Sequence, residues 1–290
     1  MLDQANKLRA MVNNTQIVEK SQNHNIKIYS VVSGKGGVGK TNFVINAAIK
    51  FRQMGKKVLI LDADIGMSNA NILLGIQIPH SLFEAIQGDV TLQDVIVKSP
   101  YGIDIISGGA DFFYMENLDT EKQHQIVEDL SKLGEYDILL IDNGAGISKQ
   151  SLTFTILADE IILVTTPEPT ALTDAYRVLK AVSTYNLKNK VKVVINQIHD
   201  ISSGDDAYNK LLKTSQQFLK VKLEKTGCIF NDIRMNKAIM DQCPIVLKFP
   251  NALASNNISQ ICTTILEDKS YDQNISTMKQ LSNRLIRLFG

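Results

Sequence analysis

Cysteine is scarce in this sequence, and its distribution excludes several kinds of protein. The three cysteines, Cys228, Cys243 and Cys262, are odd in number, widely spaced and without a CxxC pair. A disulfide framework or a cysteine metal site needs paired cysteines. We therefore predict reduced thiols in a cytosolic protein. An iron–sulfur carrier or a nitrogenase-type reductase would need paired cluster cysteines, which are missing here.

The sequence also lacks long hydrophobic runs and a strong excess of either charge. No N-terminal segment has the form of a signal peptide, and no apolar stretch is long enough to span a bilayer. A net charge of +1 argues against a protein that wraps a polyanion, and against specific nucleic-acid binding. Attachment to a membrane surface stays open.

The strongest positive signal is SGKGGVGKTN at residues 33–42. Gly34 to Thr41 fits the phosphate-loop pattern G-x-x-x-x-G-K-[ST], between a β-branched run and a helical pattern. In such a loop the backbone N–H groups close on phosphate oxygens, Lys40 reaches the β- and γ-phosphates, and the Thr41 hydroxyl binds Mg²⁺. The alternative is a glycine-rich turn with solvated lysines. The expected nucleotide-binding residues are Gly34, Gly36, Gly37, Val38, Gly39, Lys40, Thr41 and Asn42.

Apolar strands alternate with helical patterns along most of the chain. This alternation predicts an α/β P-loop NTPase fold, with a mostly parallel sheet covered by helices on both faces. The predicted strands are 26–33, 58–62, 103–107, 137–142, 160–166, 191–196 and 221–230, and the main helices are 119–134, 170–185, 204–220 and 251–268. We divide the chain into an N-terminal helix and polar linker (1–25), an ATPase domain (26–270) and a C-terminal amphipathic helix (271–290).

Two aspartates stand at the ends of predicted strands. DILLIDNGAG ends a strand with Asp142, and Gly146 follows four residues later. A carboxylate there can hold Mg²⁺ together with Thr41, and a glycine N–H can sense a γ-phosphate. LDADIGM places Asp64 near the same rim, where it could orient the attacking water. Either aspartate could instead belong to an ordinary turn.

The second lysine of the loop, Lys35, is unusual. GKGGVGKT resembles the deviant phosphate loop of MinD/ParA-type ATPases, and the resemblance extends to about residue 268. It implies ATP and Mg²⁺ as cofactors and an ATP-bound homodimer in which Lys35 reaches the partner's nucleotide. A positive group supplied in trans would make hydrolysis depend on dimerisation. The implied catalytic residues are Lys35, Lys40 and Asp64. Without a dimer, Lys35 would be a solvated loop lysine.

The same resemblance assigns two further positions to the adenine. Asn196 in INQ and Asp232 in FNDIR match adenine-contacting segments of the family. The second segment departs from the usual pattern, because Phe230 stands where relatives have proline. Asn71 likewise replaces a common aspartate.

Within this family, two segments resemble the flagellar-number regulators of the FlhG (FleN) subgroup. One is DQANKLR at residues 3–9, and the other is TTPEPTALTDAYRVLK at 165–180. The C-terminal tail, described below, also fits this subgroup. The resemblance implies that the N-terminal element stimulates an FlhF-type GTPase of the signal-recognition-particle class, with Gln4 entering the partner's site. It also implies a flagellar transcriptional activator as a further partner. A frayed terminal helix with a solvated Gln4 is the alternative.

Residues 275–290 predict an amphipathic helix. On a helical wheel its apolar residues share an arc of roughly 160°, and basic residues flank it. This composition is typical of a helix that lies on an anionic membrane, although docking on the protein body would use the same pattern. The pattern alone favours docking, but the terminal position, the basic flanks and the resemblance to family members with a C-terminal targeting helix together imply a cytoplasmic protein bound peripherally to the inner face of the cell membrane. The membrane-contacting residues would be Met278, Leu281, Leu285, Leu288 and Phe289.

Four rival functions are weighed. A ParA-like DNA-segregation ATPase would need a basic surface. A bacterial tyrosine kinase of related fold would carry a C-terminal tyrosine cluster, but only Tyr271 lies in the last twenty residues. Asp64 alone separates an ATPase from a scaffold that binds nucleotide without hydrolysing it. A division-site-positioning MinD would share the same core chemistry.

Overall fold

A computed structural model describes residues 25–64, 69–108, 136–268 and 276–277. Its strands are β1 (Asn25–Val32), β2 (Val58–Ala63), β3 (Val97–Lys98), β4 (Asp104–Ser107), β5 (Ile138–Asn143), β6 (Glu160–Thr165), β7 (Lys190–Ile198), β8 (Lys222–Phe230) and β9 (Ser276–Thr277). The sheet order is β3-β4-β2-β5-β1-β6-β7-β8. All pairs on this path are parallel except β3–β4, and β9 pairs antiparallel with the first residues of β1.

Helices cover both faces of the sheet. They are α1 (Lys40–Gln53), α2 (Asn69–Leu74), α3 (Leu82–Gln87), α4 (Lys149–Leu157), α5 (Pro169–Thr184), α6 (Ile201–Phe218), α7 (Ile233–Met240), α8 (Ile245–Lys248) and α9 (Leu253–Glu267). One apolar core lies under α1 and α9, and a second lies under α4, α5 and α6. The central strands are buried on both sides, which explains their nearly continuous apolar sequences.

The predicted fold class is confirmed, and most predicted elements differ from the observed ones by a few residues. The two-residue strands β3 and β9 were missed, because two residues carry no period-2 signal. The helix predicted at 119–134 lies outside the described residues, as do residues 1–24. Ser276 and Thr277 are extended, so the predicted helical segment 275–290 contains a short strand near its start. Within the described ranges, no helix is long and apolar enough to cross a membrane.

Candidate nucleotide-binding site

The loop between β1 and α1 can be built only with glycine at certain positions. Gly39 has φ +85°, and a Cβ there would lie 2.3 Å from Nδ2 of Asn196. A Cβ on Gly34 would lie 2.2 Å from the backbone carbonyl carbon of Asp174 in α5. The first turn of α1 contains no acidic side chain. The positive end of this helix is therefore open to an anion, as phosphate binding requires.

A cavity of about 900 Å³ opens above this loop, at the carboxyl ends of the strands. Most of the predicted site residues line it, and Ala145 beside Gly146 lines it too. Gly34 supports the loop from below, against α5. The predicted site residues that line the cavity are Lys35, Gly36, Gly37, Val38, Gly39, Lys40, Thr41, Asn42, Asp64, Asn196 and Asp232.

Lys40, which lines the cavity, forms a buried ion pair with Asp142, which lies behind it and does not line the cavity. Their Nζ and Oδ1 atoms are 2.5 Å apart, and the two side chains are 6% and 1% exposed. The other carboxylate oxygen of Asp142, Oδ2, is buried and has no hydrogen-bond partner among the described residues. An unsatisfied buried carboxylate oxygen suits a hard cation that takes oxygen ligands, and the Thr41 hydroxyl belongs to the lining of the cavity above it. Thr41 and Asp142 therefore fit the Mg²⁺ that the sequence predicts.

Asp64 follows β2 and lines the same cavity. Its backbone N–H donates to Oδ1 of Asp62, 3.1 Å away. Burial raises the pKa of the Asp64 carboxyl, the Lys40 charge lowers it, and Asp142 raises it again, so that the net shift is upward. A raised pKa moves a carboxylate toward the range of a proton acceptor for water.

Lys35 lies at the cavity rim with a different environment from that of Lys40. Its Nζ donates to Oε2 of Glu168 at 2.9 Å and to the Thr170 hydroxyl at 3.0 Å. The Lys35 side chain is 33% exposed and the Glu168 side chain 54% exposed. The Thr170 hydroxyl and Lys35 together lower the pKa of Glu168. This ion pair is open to solvent and can be broken at little cost.

Consecutive amides at the end of β7 support the phosphate loop. Asn196 Nδ2 donates to the Val38 carbonyl at 2.8 Å, and Gln197 Nε2 donates to the Gly37 carbonyl at 3.2 Å. Gln197 has φ +57°, an uncommon backbone angle for this residue type. Asn196, predicted to contact adenine, lines the cavity and here braces the loop. These two hydrogen bonds occupy carbonyl groups of the loop and leave its N–H groups available to a phosphate.

Asp232 also lines the cavity, together with Phe230 and Asn231. Its carboxylate caps α7 by accepting the backbone N–H of Arg234, and it also accepts the guanidinium of Arg234 at 2.8 Å. These hydrogen bonds hold the pKa of Asp232 below its usual value. The residue predicted to contact adenine thus also fixes the helix that borders the cavity.

Gly146 has φ +83°, and a Cβ on it would lie 3.7 Å from the carbonyl oxygen of Gly34. Its N–H donates to the Ser33 carbonyl, 2.9 Å away. The predicted phosphate-sensing donor is therefore engaged by the backbone just before the phosphate loop. Gln4 and the five predicted membrane residues lie outside the described residues.

Sequence analysis missed the partners of these residues. Glu168 and Thr170 stand in the quoted run TTPEPTALTDAYRVLK, to which no chemical role was assigned, and Gln197 follows Asn196 directly. In the sequence, only their position within or next to segments already identified could have pointed to these three residues. The hydrogen bonds themselves join residues more than 130 positions apart.

The glycine loop, the buried Lys40–Asp142 pair and a cavity at the carboxyl ends of parallel strands define a nucleotide-binding P-loop protein. Residues 25–266 match the ParA family, described as NUBPL iron-transfer P-loop NTPase. The chain belongs to this ParA/MinD family of P-loop NTPases, as its deviant phosphate loop predicted.

Two relatives are an antiactivator and a flagellum site-determining protein. The chain is similar to the antiactivator FleN of Pseudomonas aeruginosa, at 33% identity over 80% of this chain and 83% of that protein. It is also similar to the flagellum site-determining protein YlxH of Helicobacter pylori, at 29% identity over 92% of each.

Solved MinD structures share the fold. In the MinC:MinD cell division complex of Aquifex aeolicus, the matched chain has a TM-score of 0.66 and 28% identity, with 84% of this chain and 96% of that chain covered. MinD of Pyrococcus horikoshii, complexed with Mg-ADP, has a TM-score of 0.66 and 25% identity, with 86% and 98% covered.

Proposed function

We propose that this chain hydrolyses ATP as an ATP-bound homodimer and regulates the number or placement of flagella. The observation that carries the ATPase proposal is the contrast between two lysines of one loop. Lys40 is buried against Asp142, whereas Lys35 is 33% exposed at the rim on a solvent-exposed ion pair. A buried lysine serves the chain's own nucleotide. An exposed one can turn to the nucleotide of a second protomer.

The residues of the cavity divide the work. The loop N–H groups and the α1 N-terminus bind the phosphates, and Lys40 neutralises charge on the β- and γ-phosphates. Thr41 and Asp142 would hold Mg²⁺, which supplies further charge neutralisation. Asp64 orients the attacking water, and Lys35 of the partner subunit stabilises the charge that develops on the transferred phosphate.

The test separates binding, assembly and chemistry. Lys35→Ala should retain nucleotide binding as a monomer but lose ATP-dependent dimerisation and hydrolysis. Asp64→Ala should bind ATP and accumulate as a dimer, because only the chemical step is blocked. The control is Lys213→Ala, which removes an exposed lysine of α6 outside the cavity and should match the wild type. Wild-type hydrolysis by Lys35→Ala would contradict the trans role.

The flagellar assignment rests on the names of two relatives, FleN and YlxH, and on two sequence resemblances. We propose that Gln4 enters the site of an FlhF-type GTPase and orients its attacking water. A flagellar transcriptional activator is a second proposed partner, because one relative is named an antiactivator. Deleting residues 1–12 should leave ATPase activity intact and abolish stimulation of the GTPase, and Gln4→Ala should reproduce most of that loss. Equal stimulation by the truncated chain would contradict the role of Gln4.

The C-terminal segment 271–290 is proposed to bind the inner face of the cell membrane when ATP dimerisation releases it. Such a switch requires only that the dimer favour the released state by a few kcal/mol, about 5 for near-complete switching. Sedimentation with anionic and neutral vesicles, in ATP and in ADP, tests it, with Phe289→Glu as the variant that should stay in solution. Equal binding to vesicles in ATP and in ADP would show that ATP does not control membrane binding.

Division-site positioning is the second candidate, because the MinD of a solved MinC:MinD complex shares the fold over 84% of this chain. The core chemistry would be the same, so the partner decides. A pull-down in ATP with an FlhF-type GTPase and a MinC-type protein as competing baits distinguishes the two. Retention of the GTPase supports the flagellar role, and retention of the MinC-type protein alone would overturn it.

A further inference from the structure

A cluster of polar side chains lies buried on the face of the sheet that α4 covers. It consists of Ser30 of β1, Asn143 of β5, and Ser151 and Thr155 of α4, all between 0% and 6% exposed. We call it the α4 polar cluster. Asn143 directly follows Asp142, so the two side chains point to opposite faces of the sheet. The residue beside the ion pair of the nucleotide cavity therefore heads a separate network.

The cluster forms a hydrogen-bond chain that runs in one direction. Asn143 Nδ2 donates to Ser30 Oγ at 2.8 Å and to the Val31 carbonyl at 3.1 Å. The Ser30 and Thr155 hydroxyls are 3.3 Å apart, and Thr155 donates to the Ser151 carbonyl at 2.6 Å. The Thr155 hydroxyl has one proton, which it donates to that carbonyl. The Ser30 hydroxyl must therefore be the donor in its hydrogen bond with Thr155. The chain thus leads from β5 through β1 into α4.

Packing alone does not explain these residues. The surrounding core is apolar and includes Ile141, Phe154 and Ile161. Leucine or valine of similar volume would fill the same space without buried polar atoms that need partners. The Asn143 Oδ1 atom is buried and accepts no hydrogen bond among the described residues, which adds a cost. Because burying these polar groups costs folding free energy, we look for a role in positioning a neighbouring segment.

The cluster joins the two ends of the loop that carries Gly146. Asn143 immediately precedes loop 144–148, and Ser151 stands in the first turn of the helix that follows it. The Ser151 hydroxyl lies 3.3 Å from the Gly146 carbonyl and 3.1 Å from the Ser148 carbonyl, so its proton is shared between two carbonyls of this loop. The Gly146 N–H, on the other side of the same residue, donates to the Ser33 carbonyl. Gly146 is therefore held between the α4 polar cluster and the start of the phosphate loop.

We propose that Asn143 is a positioning residue for Gly146. Through the α4 polar cluster it sets the place of loop 144–148, so that the Gly146 N–H can exchange the Ser33 carbonyl for a γ-phosphate oxygen. The same hydrogen bonds carry the resulting shift into α4. ADP lacks the γ-phosphate, so the cluster affects the response to ATP and leaves ADP binding unchanged. The inference rests on the proposed ATPase.

The test compares Asn143→Leu and Thr155→Val with Thr263→Val. The Thr263 hydroxyl makes the same bond to the carbonyl four residues earlier, but on α9, outside the cavity. We expect ADP affinity within about twofold of wild type for all three variants. The two cluster variants should prefer a non-hydrolysable ATP analogue over ADP about tenfold less than the wild type does. Their kcat should also fall about tenfold. A tenfold change corresponds to the loss of about one hydrogen bond. The double variant should lose no more than either single one, because both break one chain.

Three outcomes would overturn the inference. They are equal losses of ADP and ATP-analogue affinity, wild-type values for both, or additive losses in the double variant. Thr155→Val preserves side-chain shape, so it decides the question even where Asn143→Leu fails to fold. Failure of the proposed function has a different signature, because then the wild type itself would not hydrolyse ATP.

Discussion

At the amino ends of the strands several buried and half-buried charges form one ion-pair network, whereas at the carboxyl ends Lys40 and Asp142 form a single ion pair. Lys192, only 2% exposed, forms ion pairs with Glu160, Glu224 and Asp268. Glu160 also pairs with the buried Lys27 at 2.8 Å. Burial raises the pKa of Glu160, but hydrogen bonds and charge from Lys27 and Lys192 outweigh it and hold that pKa below its usual range.

The carboxyl end contains the opposite arrangement. Lys40 and Asp142 pair with each other, but Asp142 Oδ2 accepts no hydrogen bond among the described residues. Asp64 nearby has a raised pKa, so its ionised form is disfavoured. Charges that pair with several oppositely charged groups at once hold one structure in place. Charges left short of partners are instead available to a metal ion or a phosphate, which is how perturbed groups mark functional sites.

The largest effect should follow from breaking the amino-end cluster. Lys192→Ala removes the buried cation that three carboxylates share, leaving Glu160 with Lys27 and the other two with the half-exposed Lys190, and should cost about 3 kcal/mol or more of unfolding free energy. Lys190 contacts Glu224 and Asp268 too, but its side chain is 36% exposed, so Lys190→Ala should cost less than about 1 kcal/mol. Urea unfolding measures both. If the two variants lost the same free energy of unfolding, the difference in burial between Lys192 and Lys190 would not determine their contribution to stability.

Breaking the carboxyl-end pair should appear chiefly in chemistry. Lys40→Ala should lower the ATPase kcat by about 10²–10³-fold, because a preorganised charge at the phosphates is lost. Lys50→Ala, in the last turn of the same helix, should leave kcat unchanged. The comparison fails if Lys192→Ala lowers the kcat of the folded enzyme as strongly as Lys40→Ala does.

Sequence reasoning recovered the parts of this molecule that local chemistry determines. The phosphate loop is a contiguous stretch whose glycines, lysine and threonine each have a fixed task. The apolar strands followed from burial on both faces. The Lys35–Glu168 pair, the loop braces of Asn196 and Gln197, and the α4 polar cluster join residues more than 100 positions apart. Such contacts depend on strand order, and no spacing in the sequence encodes them.

A smaller effect should appear in the pH dependence of Asp64. Its folded-state pKa is raised, so its proton is bound more tightly in the folded chain. The linked stabilisation is present below the unfolded pKa and is lost as pH rises through the folded one. At pH 7 the ionised carboxylate therefore costs stability.

Asp64→Asn should accordingly be as stable as wild type or more stable at pH 7, and lose this advantage in acid. ATPase activity of the wild type should fall as pH drops through the raised pKa, whereas ADP binding should show no such limb. Thermal unfolding at several pH values and a pH–rate profile measure these effects. Destabilisation of Asp64→Asn at pH 7 would contradict the sign.

The smallest expected effect concerns the exposed ion pair at the rim. Lys35 has to leave Glu168 before it can reach a partner's nucleotide, so Glu168→Gln should strengthen ATP-dependent dimerisation. Because exposed ion pairs are weak, the gain should be at most about fivefold. It should shrink in high salt, which already screens the wild-type pair. Glu267→Gln, an exposed glutamate at the end of α9, is the control. Sedimentation analysis in ATP measures the dimer. Weaker dimerisation of Glu168→Gln would mean that Glu168 supports the dimer, and that holding Lys35 within its own chain is not its role.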